Sequence, residues 1–119
     1  MARNFKSIKA WQLADDLAVV IYDVTKHFPS QERYGLVLQM RRAAVSVPAN
    51  IAEGATRNSP KEYIQFLSIA KGSLAELEYY LHLSKRLSYL TDSQEQHLIQ
   101  LHQQAARTLH GLMRYLQSE

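Results

Sequence analysis

The chain has 119 residues, of which 46% are hydrophobic and 21% are charged, and its formal net charge is +3. This length suits one domain with a single core. The chain contains no cysteine, which excludes disulfide bonds, thiolate chemistry and cysteine-ligated metal sites. No apolar run reaches the roughly 20 residues of a membrane span, and the N-terminus lacks the apolar stretch of a signal peptide. We therefore expect a cytoplasmic protein with no membrane partner.

The hydrophobic spacing predicts four helices and no strands. Their predicted bounds are residues 8–27, 32–53, 60–89 and 92–117. The inward positions of the first helix are Trp11, Leu13, Leu17, Ile21 and Val24, and those of the second are Met40, Ala44, Val47 and Ile51. We expect Gly54 to end the second helix in the left-handed conformation that glycine adopts at least cost.

The third and fourth helices have clear start signals. Ser59-Pro60-Lys61-Glu62 is a capping box with proline at the first helical position, and Thr91-Asp92-Ser93 has similar cap chemistry. Their inward seams are Leu67, Ala70, Leu74, Leu77, Leu81 and Ser84, and then Leu98, Leu101, Ala105, Leu109, Leu112 and Leu116. Because the connections are short, consecutive helices run antiparallel. The sequence predicts one all-α domain over residues 1–119, an antiparallel up-down four-helix bundle.

Pro48 lies where the pattern of the second helix is still helical. Proline removes one backbone hydrogen bond and frees the carbonyl of Ala44, so a kink near Pro48 is expected. The alternative is two helices, with Ser46 as the cap of the second.

One face of the second helix is polar and includes Ser46, Asn50 and Glu53. It is either a solvated surface or a close contact with another helix or subunit, because serine and asparagine are poor helix formers that an exposed surface would not favour. On the third helix, four small residues offer a matching surface: Ala70, Gly72, Ser73 and Ala75. A rise of about 1.5 Å per residue places Gly72 level with Ala43, so we expect small residues to face each other there and the two backbones to approach.

The positive charge is concentrated in the N-terminal segment and around the second and third helices. Candidate phosphate-binding residues are Arg3, Lys6, Lys9, Arg41, Arg42, Arg57, Lys61 and Lys71. Such a distribution permits contact with nucleic acid but does not demand it. For Arg41 and Arg42 the alternative is an ion pair with Glu76, which lies at the same level of the bundle.

Catalytic and metal-binding motifs are missing from the sequence. No Glu has a His three residues later, as di-iron bundles require, and no phosphate loop or nucleophile elbow is present. The histidines never recur at a spacing of three or four, so we expect surface or helix-end positions for His27, His82, His97, His102 and His110. We expect no enzymatic activity and no cofactor.

Two sequence blocks resemble a known family. The run Gln-x-Arg-Arg-Ala-Ala-x-Ser-x-Pro-Ala-Asn-Ile-Ala-Glu-Gly, within Tyr34 to Gly54, is similar to the bacterial 23S rRNA intervening-sequence protein family. The run from Phe66 to Glu78 resembles the second block of that family. Trp11-Gln12-x-Ala14 and the segment from Arg107 to Leu116 are also similar, so the likeness covers nearly the whole chain.

The resemblance implies a four-helix bundle assembled as a ring, typically a homopentamer, with no catalytic residues. A similar branch, the accessory protein of diversity-generating retroelements, binds nucleic acid and a reverse transcriptase. The implied partners are therefore further copies of the chain, RNA or DNA, and a protein. Two functions remain open: a module that binds structured RNA through the basic surface of helices 2 and 3, and a structural or protein-interaction ring with no nucleic-acid role.

Overall fold

The computed structural model describes residues 3–118 and contains four long helices. They are α1 (Lys9–Thr25), α2 (Leu36–Gly54), α3 (Pro60–Arg86) and α4 (Asp92–Gln117), with 3₁₀ turns at Phe5–Ser7 and Ser30–Glu32. Each helix packs against the next, and α4 returns to pack against α1. The predicted up-down bundle is confirmed, with extents of 45 × 24 × 20 Å. Within the described part of the chain, no helix combines the length and apolar character that a membrane crossing requires.

The helix seams predicted from spacing form the core. All six predicted positions of α3 and all four of α2 are buried, whereas α1 and α4 each place some predicted positions at the half-buried edge. The half-buried members are Trp11, Leu13, Val24, Leu101 and Leu112. Two buried α4 residues, His102 and Met113, were not predicted to be inward.

Two helix ends differ from the prediction by more than two residues, because local hydrogen bonds replace helical ones. α2 begins four residues late, since the Ser30–Glu32 turn precedes it and the Glu32 carboxylate accepts from the backbone N–H of Leu36 at 3.4 Å. α3 ends three residues early. There Ser88 has a φ of 63°, and the N–H of Tyr89 donates to the carbonyl of Ser84 at 2.9 Å. This is the 6→1 bond of a Schellman motif.

α2 runs unbroken from Leu36 to Gly54 with Pro48 buried inside it. The two-helix alternative is therefore wrong, and the kink at Pro48 stays a prediction. Ser46 does not cap a second helix. Its hydroxyl instead lies 2.8 Å from the hydroxyl of Ser73 on α3.

Gly54 does not end α2 in the left-handed conformation, because no glycine among residues 3–118 has a positive φ. A Cβ at Gly54 would lie 2.9 Å from the Cβ of Phe66 and 2.9 Å from Cδ1 of Tyr63. Cβ contacts this short are not tolerated without a shift of the neighbouring atoms. The missing side chain therefore lets α2 approach the first turns of α3.

The prediction that Gly72 takes part in the α2–α3 contact is wrong. Gly72 is exposed, and a Cβ built there meets no atom of the described residues within 4 Å. Of the other small residues predicted on this surface, Ala70 and Ser73 are buried, as is Ala43 on α2, whereas Ala75 is exposed. The predicted contact is thus real but lies on the neighbouring side of α3.

Candidate nucleic-acid interface

The net positive charge of the bundle is gathered at one end. This end, called the basic end below, comprises the N-terminal arm and first turn of α1 (residues 3–12), the α2–α3 connection with its flanking turns (52–66), and the last turns of α4 (110–118). It carries six positive side chains, Arg3, Lys6, Lys9, Arg57, Lys61 and Arg114, against Glu53 and Glu62. The rest of residues 3–118 carries eight positive and eight negative side chains. The excess of four charges therefore belongs to the basic end alone.

Arg3 is brought to the basic end by a folded N-terminal arm. Asn4 caps the first 3₁₀ turn by accepting from the N–H of Lys6 at 3.1 Å, and the Gln12 side chain donates to the carbonyl of Lys6 at 2.9 Å. Nη1 of Arg3 then donates to the carbonyls of Ala55, at 3.2 Å, and Arg57, at 2.9 Å. This leaves several of the five N–H donors of the guanidinium available to a ligand.

Arg57 is held by an aromatic ring and a carboxylate. Its guanidinium lies 4.5 Å from the centroid of Phe66, and its Nη2 lies 3.2 Å from Oε1 of Glu53. The Nε atom of Arg57 is buried and has no hydrogen-bond partner among the described residues. Glu53, one of the residues on the polar face of α2, therefore lowers the net positive charge of this end. It also holds the guanidinium of Arg57 in place.

Tyr63 lies beneath Arg3. The guanidinium of Arg3 is 4.8 Å from the ring centroid, and Tyr63 is only 2% exposed. Burial raises the pKa of Tyr63 above its ordinary value of 10.0, and the charge of Arg3 opposes that rise. The phenol is therefore neutral at physiological pH, and its oxygen has no hydrogen-bond partner within residues 3–118.

The basic end also contains cations free of such contacts. Lys6, Lys9 and Lys61 are exposed, and none of their ammonium groups forms an ion pair with a described residue. Ser59 caps α3 beside them, accepting from the N–H of Glu62 at 3.1 Å. Five of the eight candidate residues named from the sequence thus share one end of the bundle.

Arg41 belongs to the α1–α2 packing instead. Its Nε donates to Oγ1 of Thr25 at 3.0 Å, its Nη2 donates to the carbonyl of Tyr22 at 3.3 Å, and its guanidinium lies 4.5 Å from the centroid of the Tyr22 ring. Glu76 accepts a hydrogen bond of 2.7 Å from the hydroxyl of Tyr80 and forms no ion pair within residues 3–118. The alternative in which Arg41 or Arg42 pairs with Glu76 is wrong.

Arg42 and Lys71 lie apart from the basic end. Arg42 is exposed and makes no hydrogen bond or ion pair with the described residues. Lys71 is exposed on α3, where it lines a groove against α4. The two cations therefore do not extend the surface formed by Arg3 and Arg57.

The polar face of α2 is used within the molecule. The hydroxyl of Ser73 donates to Ser46, and Nδ2 of Asn50 donates to the carbonyl of Ser46 at 2.8 Å and to its hydroxyl at 3.0 Å. Of the alternatives for this face, the close helix contact holds for Ser46, whereas Asn50 bonds within α2 and Glu53 is exposed.

Three residues of the basic end have roles that sequence reasoning missed. Tyr63 and Phe66 hold the two guanidinium groups, and Arg114 adds a charge from the far end of the chain. No sequence signal joins Arg3 to Tyr63, 60 residues away, because the contact depends on the path of the N-terminal arm.

The sequence matches the family model described as "23S rRNA-intervening sequence protein" over residues 6–111. The chain belongs to the 23S rRNA-intervening sequence protein family. The match includes both sequence blocks from which the resemblance was drawn, whereas Arg3 and Arg114 lie outside it.

A solved structure supports the same assignment. It is a protein of unknown function from the S23 ribosomal protein family of Bacteroides thetaiotaomicron VPI-5482. The two chains are 26% identical and superpose with a TM-score of 0.81, over 87% of this chain and 97% of the other. No curated protein matches the sequence.

Proposed function

We propose that this member of the 23S rRNA-intervening sequence protein family is a non-enzymatic homo-oligomer that binds structured RNA through its basic end. The observation that carries the proposal is the charge excess of four at that end among residues 3–118, whose remaining charges balance. Glu119, the next residue in the sequence, brings the formal net charge of the chain to +3. The proposed surface differs from the basic face of helices 2 and 3, because Arg41 is engaged by α1 and Lys71 lies against α4.

The contacts at the basic end suit phosphate groups. A guanidinium that contacts a ring face still presents N–H donors at its edge, and those donors match phosphate oxygens. Arg3 and Arg57 are held in this way, while Lys6, Lys9 and Lys61 supply mobile charges. A single subunit then makes only a few phosphate contacts. In an oligomer such contacts act together, so weak single sites give useful affinity.

The direct test is a titration of a structured RNA hairpin at several salt concentrations. We expect the logarithm of the association constant to fall linearly with the logarithm of salt, with a slope of about −0.9 per phosphate contact on duplex regions. The triple variant Lys6→Gln, Lys9→Gln, Lys61→Gln should bind more weakly and with a shallower slope.

The matched control removes equal charge elsewhere. Arg33, Arg86 and Arg107 are exposed and lie outside the basic end, so the triple variant with Gln at these positions should keep most of the RNA affinity. If the control loses as much affinity as the basic-end variant, binding follows net charge and not this site. If the wild type does not bind RNA, or binds it with a flat salt dependence, the proposal is overturned.

A second candidate function, an interaction ring without a nucleic-acid role, is favoured by an exposed apolar face on α1 and α2. Arg41 contacts Tyr22 and Thr25, and in an antiparallel pair this register places Val45 level with Val19. These two valines are 43% and 55% exposed. A second copy of the chain could cover this face, and a stable interface buries about 800 Å² per partner.

The two functions separate experimentally. Val45→Asp should lower the oligomeric mass measured by light scattering, whereas Ile69→Asp, an exposed apolar position on α3, should not. If the basic-end variant loses RNA while its oligomeric mass is unchanged, the nucleic-acid function is supported. If Val45→Asp is monomeric and the wild type never binds RNA, the interaction ring is the better description.

A further inference from the structure

A cavity of about 290 Å³ lies where the end of α1 meets the start of α2. This α1–α2 corner is at the opposite end of the bundle from the basic end, because α2 runs from one to the other. Three of the residues that line the cavity are cations, Lys26, Arg33 and Arg41, and none of the described residues in its wall is a carboxylate. Its volume is close to about 300 Å³, the lower limit of typical small-molecule sites.

Arg41 is the cation of this cavity that the fold holds in place. Its Nε donates to Oγ1 of Thr25 at 3.0 Å, and its Nη2 donates to the carbonyl of Tyr22 at 3.3 Å. Thr25 is fixed in turn, since its hydroxyl donates to the carbonyl of Ile21 at 2.7 Å. The two donors of Nη1 have no acceptor among residues 3–118. A guanidinium oriented in this way loses little further freedom when it binds an anion.

Backbone hydrogen bonds place Arg33 in the wall of the same cavity. The N–H of Phe28 donates to the carbonyl of Thr25 at 3.2 Å, and the N–H of Arg33 donates to the carbonyl of Ser30 at 3.1 Å. The first bond also occupies a carbonyl at the C-terminus of α1, where the helix dipole would otherwise oppose an anion. The connection therefore folds into two successive turns, and the cavity wall contains Arg33 from the second turn together with Arg41 of α2.

The positive charge of the cavity is only partly balanced. Lys26 lies 3.5 Å from the carboxylate of Asp23, but both side chains are 65% exposed, and an exposed pair of this kind contributes little. Neither Arg33 nor Arg41 forms an ion pair within residues 3–118. Two guanidinium groups thus share one cavity without a carboxylate partner.

The cavity also has apolar walls that are held in place. Phe28 and Val37 line it and are 8% and 6% exposed. The ring of Phe28 packs against the ring of Tyr89 at a centroid distance of 5.3 Å. The hydroxyl of Tyr89 donates to the carboxylate of Glu32 at 2.8 Å, which engages the acid next to Arg33 in the sequence. The cavity therefore combines fixed apolar side chains with two guanidinium groups.

We propose that the α1–α2 corner binds a small phosphate monoester with an aromatic body. The phosphate group lies between the guanidinium groups of Arg33 and Arg41, and Nη1 of Arg41 donates to its oxygens. The aromatic body lies against Phe28 and Val37. A dianion is favoured over a carboxylate, because it balances both guanidinium charges. This site is separate from the basic end and does not depend on RNA binding.

The probe is phenyl phosphate, titrated at pH 8 into ¹⁵N-labelled full-length protein and followed by the backbone amide resonances. The second pKa of a phosphate monoester is about 6, so the probe is then a dianion. We expect saturable shifts confined to residues 22–41. The diester methyl phenyl phosphate keeps the ring but carries one charge, and it should bind at least about tenfold more weakly. Equal binding of the diester, or no saturation by the monoester, would overturn the proposal.

Variants locate the site. Arg33→Gln removes a cation that makes no ion pair with the described residues, and it should weaken phenyl phosphate binding at least about tenfold. Arg86→Gln is the control, since Arg86 is exposed at the end of α3 and does not line the cavity. Arg41→Lys keeps the charge but loses the second N–H donor group, and it should also weaken binding. Unchanged binding by the Arg33→Gln protein would contradict the assignment, whatever the stability of the Arg41 variant.

Two other occupants of the corner are RNA and a second copy of the chain. A hairpin RNA with a 5′-phosphate should not displace phenyl phosphate, because RNA is assigned to the opposite end of the bundle. The oligomeric mass measured by light scattering should stay constant as phenyl phosphate saturates. Displacement by the hairpin would place the corner on the RNA-binding surface, and a fall in mass would make it a subunit contact. Either result would overturn the proposal, whereas a chain that binds no RNA would leave it standing.

Discussion

The hydroxyl of Ser73 on α3 donates a hydrogen bond to the hydroxyl of Ser46 on α2 across 2.8 Å. Ser46 also accepts from the side chain of Asn50 at 3.0 Å, so the three polar groups form a chain at the half-buried edge of the α2–α3 contact. Ser46 belongs to the polar face predicted on α2, and Ser73 belongs to the small-residue surface predicted on α3. This hydrogen bond joins the two predicted surfaces.

The Ser46–Ser73 bond should appear as a coupling between the two sites. In a double-mutant cycle of Ser46→Ala and Ser73→Ala, followed by urea unfolding, we expect a coupling free energy of about 1 kcal/mol. The single Ser73→Ala change should destabilise the protein, whereas Ser68→Ala, at an exposed position of α3, should not. Additive single effects would mean that the hydroxyl bond does not contribute to the free energy of unfolding.

The two glycines of the central helices should respond oppositely to alanine. Gly54→Ala places a Cβ 2.9 Å from Phe66 and Tyr63, and overpacking of this kind lowers the free energy of unfolding by about 1–3 kcal/mol. Gly72→Ala meets no neighbour and should raise that free energy by up to about 1 kcal/mol, because alanine is the better helix former. Urea denaturation of both variants checks the signs, and the same sign for both would contradict the packing described.

Arg41 should act on stability and not on nucleic-acid affinity. Arg41→Ala removes two hydrogen bonds to α1 and the contact with the Tyr22 ring. We expect a loss of about 1–2 kcal/mol in the free energy of unfolding, discounted for the partial exposure of the side chain. Arg42→Ala is the matched control and should change stability by less than about 0.5 kcal/mol. If the folded Arg41→Ala protein lost much of its RNA affinity, Arg41 would be part of the RNA-binding surface, and this prediction would be wrong.

Tyr63 should make stability fall at high pH. Burial raises the pKa of Tyr63 above 10.0 in the folded protein, so above about pH 10 the unfolded chain loses this proton first. The folded state then binds more protons than the unfolded state, and the free energy of unfolding decreases as pH rises. Tyr63→Phe should reduce this alkaline decrease in thermal midpoint.

The control for this pH dependence is Tyr34→Phe, since Tyr34 is an exposed side chain and its replacement should leave the curve unchanged. At neutral pH, Tyr63→Phe should be neutral or stabilising, because the removed hydroxyl is buried without a hydrogen-bond partner among residues 3–118. Destabilisation at neutral pH would indicate that the hydroxyl has a hydrogen-bond partner after all.

The sequence was sufficient to predict the four helices and most of their inward faces. Apolar side chains at spacings of three and four define a helix face whatever lies opposite, and Ser59-Pro60 and Thr91 mark helix starts by local chemistry. His102 could have been assigned to the core, because it continues the spacing of Leu98, Ala105 and Leu109. The spacing between histidines tests only for a metal-binding pair, whereas the position of His102 relative to Leu98 and Ala105 indicates that it faces the core.

The tertiary structure decided which residues form the basic end, since that depends on how the N-terminal arm folds onto the α2–α3 connection. It also distinguished Gly54, where two helices approach closely, from Gly72, where no described residue comes within 4 Å of a built Cβ. The physical reason is the same in both cases. Helical periodicity places a residue on a face of its own helix, but the distance to a second helix depends on side chains far away in sequence.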